Sequence, residues 1–231
     1  MKSYREDFYF FLDLLCTKTP FAFSKYFDRE YAILIGCTLT NCDGWHFDAQ
    51  EDKHLQNALL ESLQFAEDGY YIGIMCYCCV PNAFIDGVKW MRGIVNVDKN
   101  HLTWATIFVN SNYQLYKKEF IPEYKNHNIV LIAHKDSKVD NLPFQIEEFI
   151  PIELESWKDL NLIEKIASRT DSDKLYLFCA GPLGNLAIAK LWHRNKYNIY
   201  FDIGATLNPW LLGHNNSRDY HQYEKHNICR W

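Results

Sequence analysis

Two carboxylates one residue apart, Asp28 and Glu30, stand in the stretch Phe23-Ser24-Lys25-Tyr26-Phe27-Asp28-Arg29-Glu30. At a turn from strand to helix, this spacing lets both face one ion. Hard oxygen ligands of this kind suit Mg²⁺ or Mn²⁺ and leave coordination positions for phosphate oxygens. Acidic residues also open helices because they favour the positive end of the dipole, so the spacing alone leaves both readings open. A second unit runs from Lys174 to Gly204. It reads as an apolar strand, the turn Ala180-Gly181-Pro182-Leu183-Gly184, a helical stretch, and a strand ending on Asp202-Ile203-Gly204. Gly181 and Gly184 at such a turn let backbone amides approach a phosphate at a helix N-terminus, and Asp202 can meet a ribose hydroxyl or a second ligand. The plainer alternative is a tight turn whose glycines serve packing only.

Three further groups carry weaker signals. Asn110 and Asn112, with Tyr113, follow a strand end and could bind base or sugar hydroxyls, or act as turn formers. His214, Asn215 and Asn216 lie in a polar segment that reads as a C-terminal lid or a surface loop. Cys76, Cys78 and Cys79 form a C-x-C-C cluster. A zinc site needs further ligands at suitable spacing, and none is evident, so these read as buried strand thiols.

The elements that must position these residues alternate along the chain. Phe21 to Tyr26, Tyr70 to Cys76, Thr103 to Val109, Ile129 to Ala133, Phe149 to Ile152, Lys174 to Cys179 and Asn198 to Phe201 read as strands. Glu30 to Gly36, His54 to Phe65, Leu115 to Tyr124, Trp157 to Ser168 and Asn185 to Arg194 read as helices, with a polar loop from Thr38 to Asp52. Met1 to Leu15 reads as a short amphipathic helix. Strands apolar on both faces that alternate with helices predict an α/β domain with a mostly parallel sheet. Ligands of such sheets bind beyond the carboxyl ends of the strands.

The 231 residues suit one domain spanning 1–231, with a core of about residues 20–212. A net charge of -5 argues against a nucleic-acid partner, which needs a basic footprint. It leaves a nucleotide sugar open, since a bound metal can supply positive charge. Charged residues interrupt the first 15 positions, so no secretory leader is expected. No run approaches the roughly 18 apolar residues of a membrane span. The eight cysteines are therefore expected as thiols in the cytoplasm.

In order and spacing, these pieces resemble the GT-D glycosyltransferases, a nucleotide-sugar transferase fold once known as a domain of unknown function. That family opens on a segment like F-x-R-[FY]-G-D-G-E. Here Asp28 and Glu30 match, while Phe27 and Arg29 replace both glycines. A GP-containing loop, a helix and D-I-G follow near the family's C-terminus; here they are Gly181-Pro182, the helix, and Asp202-Ile203-Gly204. The resemblance spans residues 20–212. It implies a Rossmann-like, three-layer domain that moves a sugar from a nucleotide diphosphate donor, UDP-linked for preference, to a glycan acceptor. It makes Asp28 and Glu30 the donor- and metal-binding carboxylates for Mn²⁺ or Mg²⁺. Gly181 and Asp202 join them as site-lining residues, and Arg29 could itself reach a phosphate; Pro182, Gly184 and Asn112 stand beside them as cofactor-binding candidates from the local reading. Asp86, Glu153, Glu155 and Asp202 are the candidate carboxylates for an acceptor base.

Two other functions use the same residues. A Rossmann enzyme could bind NAD or a methyl donor through Gly181 to Gly184, with Asp202 as the ribose acid, although the turn lacks the third glycine and lies late in the chain. A binding module without catalysis would account for the replaced glycines beside Asp28.

Overall fold

The computed structural model describes residues 4–80, 82–213 and 218–222. In chain order the main elements are α1 (Tyr4–Cys16), β1 (Ala22–Lys25), α2 (Asp28–Leu34), β2 (Leu39–Thr40), β3 (His46–Phe47), α3 (Lys53–Gln64), β4 (Tyr70–Ile74), α4 (Ile85–Ile94) and β5 (Leu102–Trp104). They continue with α5 (Tyr113–Glu123), β6 (Asn128–His134), β7 (Glu148–Ile152), α6 (Leu160–Ala167), β8 (Lys174–Cys179), α7 (Pro182–Arg194), β9 (Ile199–Asp202), α8 (Asn208–Leu211) and α9 (Asp219–Gln222).

Seven strands form one sheet in the order β5-β4-β1-β9-β8-β6-β7, and every pairing is parallel. This is the three-layer α/β architecture expected from the alternating pattern. Each strand divides its side chains between two faces. Val130, Ile132, Tyr176, Phe178 and Tyr200 pack under α2, α3, α6 and α7. Ile129, Leu131, Leu175, Leu177 and Phe201 pack under α1 and α5. Tyr4, Phe8, Phe11 and Leu15 give α1 its apolar stripe, spaced to face the sheet along its whole length. Local signals fix the helix starts. Asp159 caps α6 by accepting from the amides of Asn161 and Leu162 at 3.0 and 3.1 Å. Pro182 opens α7 at a position where no amide proton is needed.

Four features depart from the sequence reading. The strand expected over Thr103 to Val109 is only the edge strand Leu102–Trp104. Ala105 still donates its amide to the Ile74 carbonyl, and then the chain turns so that Ile107 and Phe108 bury in the aromatic core. Their apolar character reflects packing, not pairing. The polar segment between Thr38 and Asp52 contains the two-stranded antiparallel hairpin β2–β3. Helix α4 was not foreseen. The cysteine cluster lies in the turn beyond β4, which ends at Ile74; Cys76 is buried, Cys79 is half-buried and Cys78 is exposed.

Candidate functional site

A cleft of about 550 Å³ opens at the carboxyl ends of the parallel strands. It brings together Asp28, Glu30, Gly181 and Asp202, four residues singled out in the sequence.

The first wall is the turn from β1 into α2. Tyr26 extends the ladder by donating its amide to the Gly73 carbonyl at 2.7 Å. Phe27 then caps α2 in an extended conformation with φ -117°. Its amide donates to Glu30 Oε2 at 2.9 Å, so Glu30 reaches back to satisfy one of the orphan amides at the helix start. Neither Phe27 nor Arg29 is among the residues with positive φ, so this turn does not need the glycines it lacks. Burial pushes the Glu30 carboxyl up to about 7, against the pull of the Phe27 amide and the Lys25 ammonium. Asp28 differs. Its side chain is 30% exposed to the cleft, with Oδ2 3.7 Å from Arg29 Nε.

The second wall joins β9 to the start of α7. Asp202 is buried, and burial raises its carboxyl pKa, while the Lys25 ammonium is the chief opposing influence. Its Oδ2 accepts from the Lys25 amide at 3.3 Å and its Oδ1 from the Gly204 amide at 3.0 Å. Gly204 has φ +55°, and the Lys25 ammonium fills the space that a β-carbon there would need. Lys25 is therefore wedged at the floor of the cleft, close enough to Glu30, Asp202 and Cys179 to pull on the pKa of each. Gly181, with φ +54°, caps α7 and faces the cleft. Asn185 ties that helix start to β1 by donating to Ser24 Oγ at 3.1 Å and to the Lys25 carbonyl at 2.8 Å.

Pro182 and Gly184 belong to the packing beneath this wall and do not line the cleft. A β-carbon on Gly184 would lie 3.5 Å from Phe178 Cβ and 3.8 Å from Asp202 Oδ2. Asn112 donates its side-chain amide to the Ile107 carbonyl at 2.9 Å and serves the turn, as does the Tyr113 hydroxyl through the Thr206 carbonyl at 2.9 Å. Asn110 does line the cleft. Glu153 stands on the rim paired with Lys135 at 2.8 Å. Glu155 accepts from the His46 amide at 2.7 Å and pairs with Lys158 at 3.0 Å, which fixes the hairpin. Asp86 pairs with Lys89 on the surface, outside the cleft.

Two segments contribute residues that the sequence reading missed. The turn of the β2–β3 hairpin brings Asn41, Asp43 and Trp45 to the cleft, and Trp45 packs edge-on against Trp157 with ring centres 5.6 Å apart. From the C-terminal side, Arg218 and Tyr220 lie over the cleft. Arg218 Nη2 donates to both Asp43 oxygens at 2.6 and 2.7 Å. His221 anchors the same segment. Its Nε2–H donates to the Ala205 carbonyl at 3.0 Å, and its Nδ1 accepts from the Arg218 amide at 2.9 Å. Both ring nitrogens are used by the neutral tautomer, and burial lowers the His221 pKa to about 4. His214, Asn215 and Asn216 lie outside the described residues.

No protein-family model matches the chain, and no curated protein matches it. Among solved structures it is similar to one described as the highly conserved domain of unknown function 1792, with a distinct glycosyltransferase fold. The TM-score is 0.59 at 13% sequence identity, over 84% of this chain and 76% of that one. The chain has a glycosyltransferase fold. The resemblance drawn from Asp28, Glu30, Gly181-Pro182 and Asp202-Ile203-Gly204 is thus supported at the level of fold. In this glycosyltransferase fold, the cleft places half-buried Asp28 beside buried Glu30, with the Lys25 ammonium and Gly181 at the start of α7 also lining it. Such a set can take a diphosphate, whose charge Lys25 and Arg29 would offset. Asp28, together with the Glu30 oxygen not held by Phe27, offers hard carboxylate donors that fit Mg²⁺ or Mn²⁺.

Proposed function

We propose that this chain is a glycosyltransferase that moves a sugar from a nucleotide diphosphate donor, UDP-linked for preference, to a glycan acceptor. The observation that carries this reading is the convergence of the Asp28–Glu30 turn, Lys25 and the Gly181 helix start in one cleft of a glycosyltransferase fold. Transfer from such a donor builds negative charge on the departing diphosphate. Lys25 and Arg29, which line the cleft, would stabilise that charge. Asp28 and Glu30 would hold Mn²⁺ or Mg²⁺, which supplies Lewis-acid stabilisation of the same charge when bound. Trp45 and Tyr220 offer aromatic surface for the base. Asp202 keeps Lys25 and Gly204 in place through its two amide bonds, and Glu153, on the rim, is the carboxylate we assign to receive the acceptor's proton.

The adenine-cofactor alternative asks Asp202 to accept from ribose hydroxyls, yet this carboxylate is buried and already holds two backbone amides. The module without catalysis drew its support from Phe27 and Arg29, and the turn forms there without strain. No helix among the described residues is long and apolar enough to cross a membrane. The seven described cysteines are free thiols. The direct test is turnover of a panel of UDP-sugars by the full chain with Mn²⁺. Release of UDP that Asp28→Asn abolishes supports the assignment, and no release from any donor counts against catalysis.

A further inference from the structure

The turn beyond β4 holds Cys76, Cys78 and Cys79 with their sulfurs all within 4.8 Å of one another. Cys76 Sγ is 3.4 Å from Cys78 Sγ, which is 3.9 Å from Cys79 Sγ. Thiolates that share one zinc ion at the usual Zn–S distance stand about 3.8 Å apart, so the three thiols already converge on the spacing of a shared ion. Their surroundings point the same way. The Asn110 side-chain amide lies 3.0 Å from Cys79 Sγ, and an amide NH₂ can only donate. The Thr106 hydroxyl lies 3.4 Å from Cys76 Sγ. The Asn110 amide, a donor aimed at sulfur, stabilises the thiolate form that binds metals, and such outer partners orient ligands in metal sites. Asn110 sits at φ +52°, a conformation uncommon for a side-chain-bearing residue, and the same residue lines the donor cleft.

We propose that Cys76, Cys78 and Cys79 form a three-thiolate site for a borderline or soft metal ion, Zn²⁺ in particular, with a fourth position left to solvent or an added ligand. Binding displaces the thiol protons to solvent as the sulfur–metal bonds form. The buried Cys76 anchors the site, and the exposed Cys78 gives the ion its way in. Through Cys79 and Asn110 the bound ion stiffens one wall of the cleft. This site prefers a different ion from the carboxylates of Asp28 and Glu30, because thiolates select soft cations and carboxylates select hard ones. Its test is therefore separable from that of the donor site.

The experiment uses the reduced, chelator-stripped full chain. Cd²⁺ is titrated while thiolate-to-metal charge-transfer absorption is followed, and Zn²⁺ is then titrated in competition with a chromophoric chelator. The expected result is one ion per chain, unaffected by Mg²⁺. Cys78→Ser and Cys79→Ser each weaken binding by at least about tenfold, and Asn110→Ala weakens it by less. The variants at Cys78 and Cys79 keep the test readable if Cys76→Ser does not fold. Replacement of Cys37 and Cys42, exposed cysteines outside the cluster, leaves binding intact. Absence of the charge-transfer band overturns the proposal. So does an affinity in Cys78→Ser equal to that of wild type, or recovery of a Cys76–Cys78 disulfide with no metal uptake by the reduced chain.

Discussion

Phe201 and Asp202 are neighbours on β9, and the surroundings of the two residues differ as much as any two regions of this molecule. Phe201 packs among Phe11, Phe21, Phe23, Phe108 and Phe120, with ring centres 5.0 to 6.3 Å apart and mostly edge-to-face or tilted contacts. Asp202, one residue on, is equally inaccessible but carries a carboxyl whose ionised form burial opposes. The aromatic face is a region where every group gains from being buried. The cleft is a region where Glu30 and Asp202 lose hydration and recover only part of it from Lys25 and a few amides. The first region holds the sheet rigid, and under the proposed function the second uses that rigidity to keep charge in place for a ligand. A ligand should therefore stabilise the cleft, whereas mutations should do most harm in the aromatic face.

The largest expected effect lies in the aromatic face. Phe11→Ala removes a ring that touches Phe21, Phe23, Phe108 and Phe201, and should cost about 3–5 kcal/mol in denaturant unfolding. UDP affinity of the folded fraction should stay close to wild type, because Phe11 does not reach the cleft. A proportionate loss of affinity would mean that the two regions are not separable. Lys25→Met should show the converse. It removes the floor cation and its charge-assisted bonds to a diphosphate, so UDP should bind about ten- to a hundredfold more weakly in calorimetry. Melting should also fall, because Glu30 and Asp202 lose the ammonium that offsets part of their burial cost, but by less than in Phe11→Ala.

The smallest expected effects concern the C-terminal segment. Arg218→Gln loses a partly exposed ion pair with Asp43, and should cost at most about 1 kcal/mol while speeding UDP release. Closure of this segment should also depend on pH through His221. Burial and the nearby Arg218 and Lys117 charges keep its ring neutral down to about 4, whereas a released histidine takes up its proton near the ordinary 6.5. The open state thus binds more protons between these values, so closure is fully stabilised above about 6.5 and weakens as pH falls towards about 4. Hydrogen exchange of the segment should speed up over this window, and His221→Gln should remove the dependence.

The parallel sheet was legible because β6, β8 and β9 are apolar on both faces, a pattern that few other elements share. Asp28, Glu30, Gly181 and Asp202 were legible because each sits at a strand end or helix start, where local spacing carries meaning. Other site residues were not. Trp45 and Asp43 reach the cleft on a hairpin of two-residue strands, too short for any periodic signal. Lys25 was visible in the quoted motif, but its importance comes from contact with Gly204, far along the chain. Arg218 and Tyr220 arrive through tertiary docking onto Asp43 and Tyr113, which no local pattern encodes. Asn112 and Gly184 show the opposite case: they occupy plausible positions for ligand contact, and the turn and the helix packing use them instead.

The measurement that bears most directly on the central claim is thermal stability of wild type and Asp28→Ala with chelator, with Mn²⁺, with UDP, and with both. The account predicts a rise in melting temperature with UDP that is largest when Mn²⁺ is present and is lost in Asp28→Ala, whose own stability stays near wild type because Asp28 is a partly exposed side chain. No shift with UDP under any condition, or an equal shift in the variant, would contradict a donor site at Asp28 and Glu30.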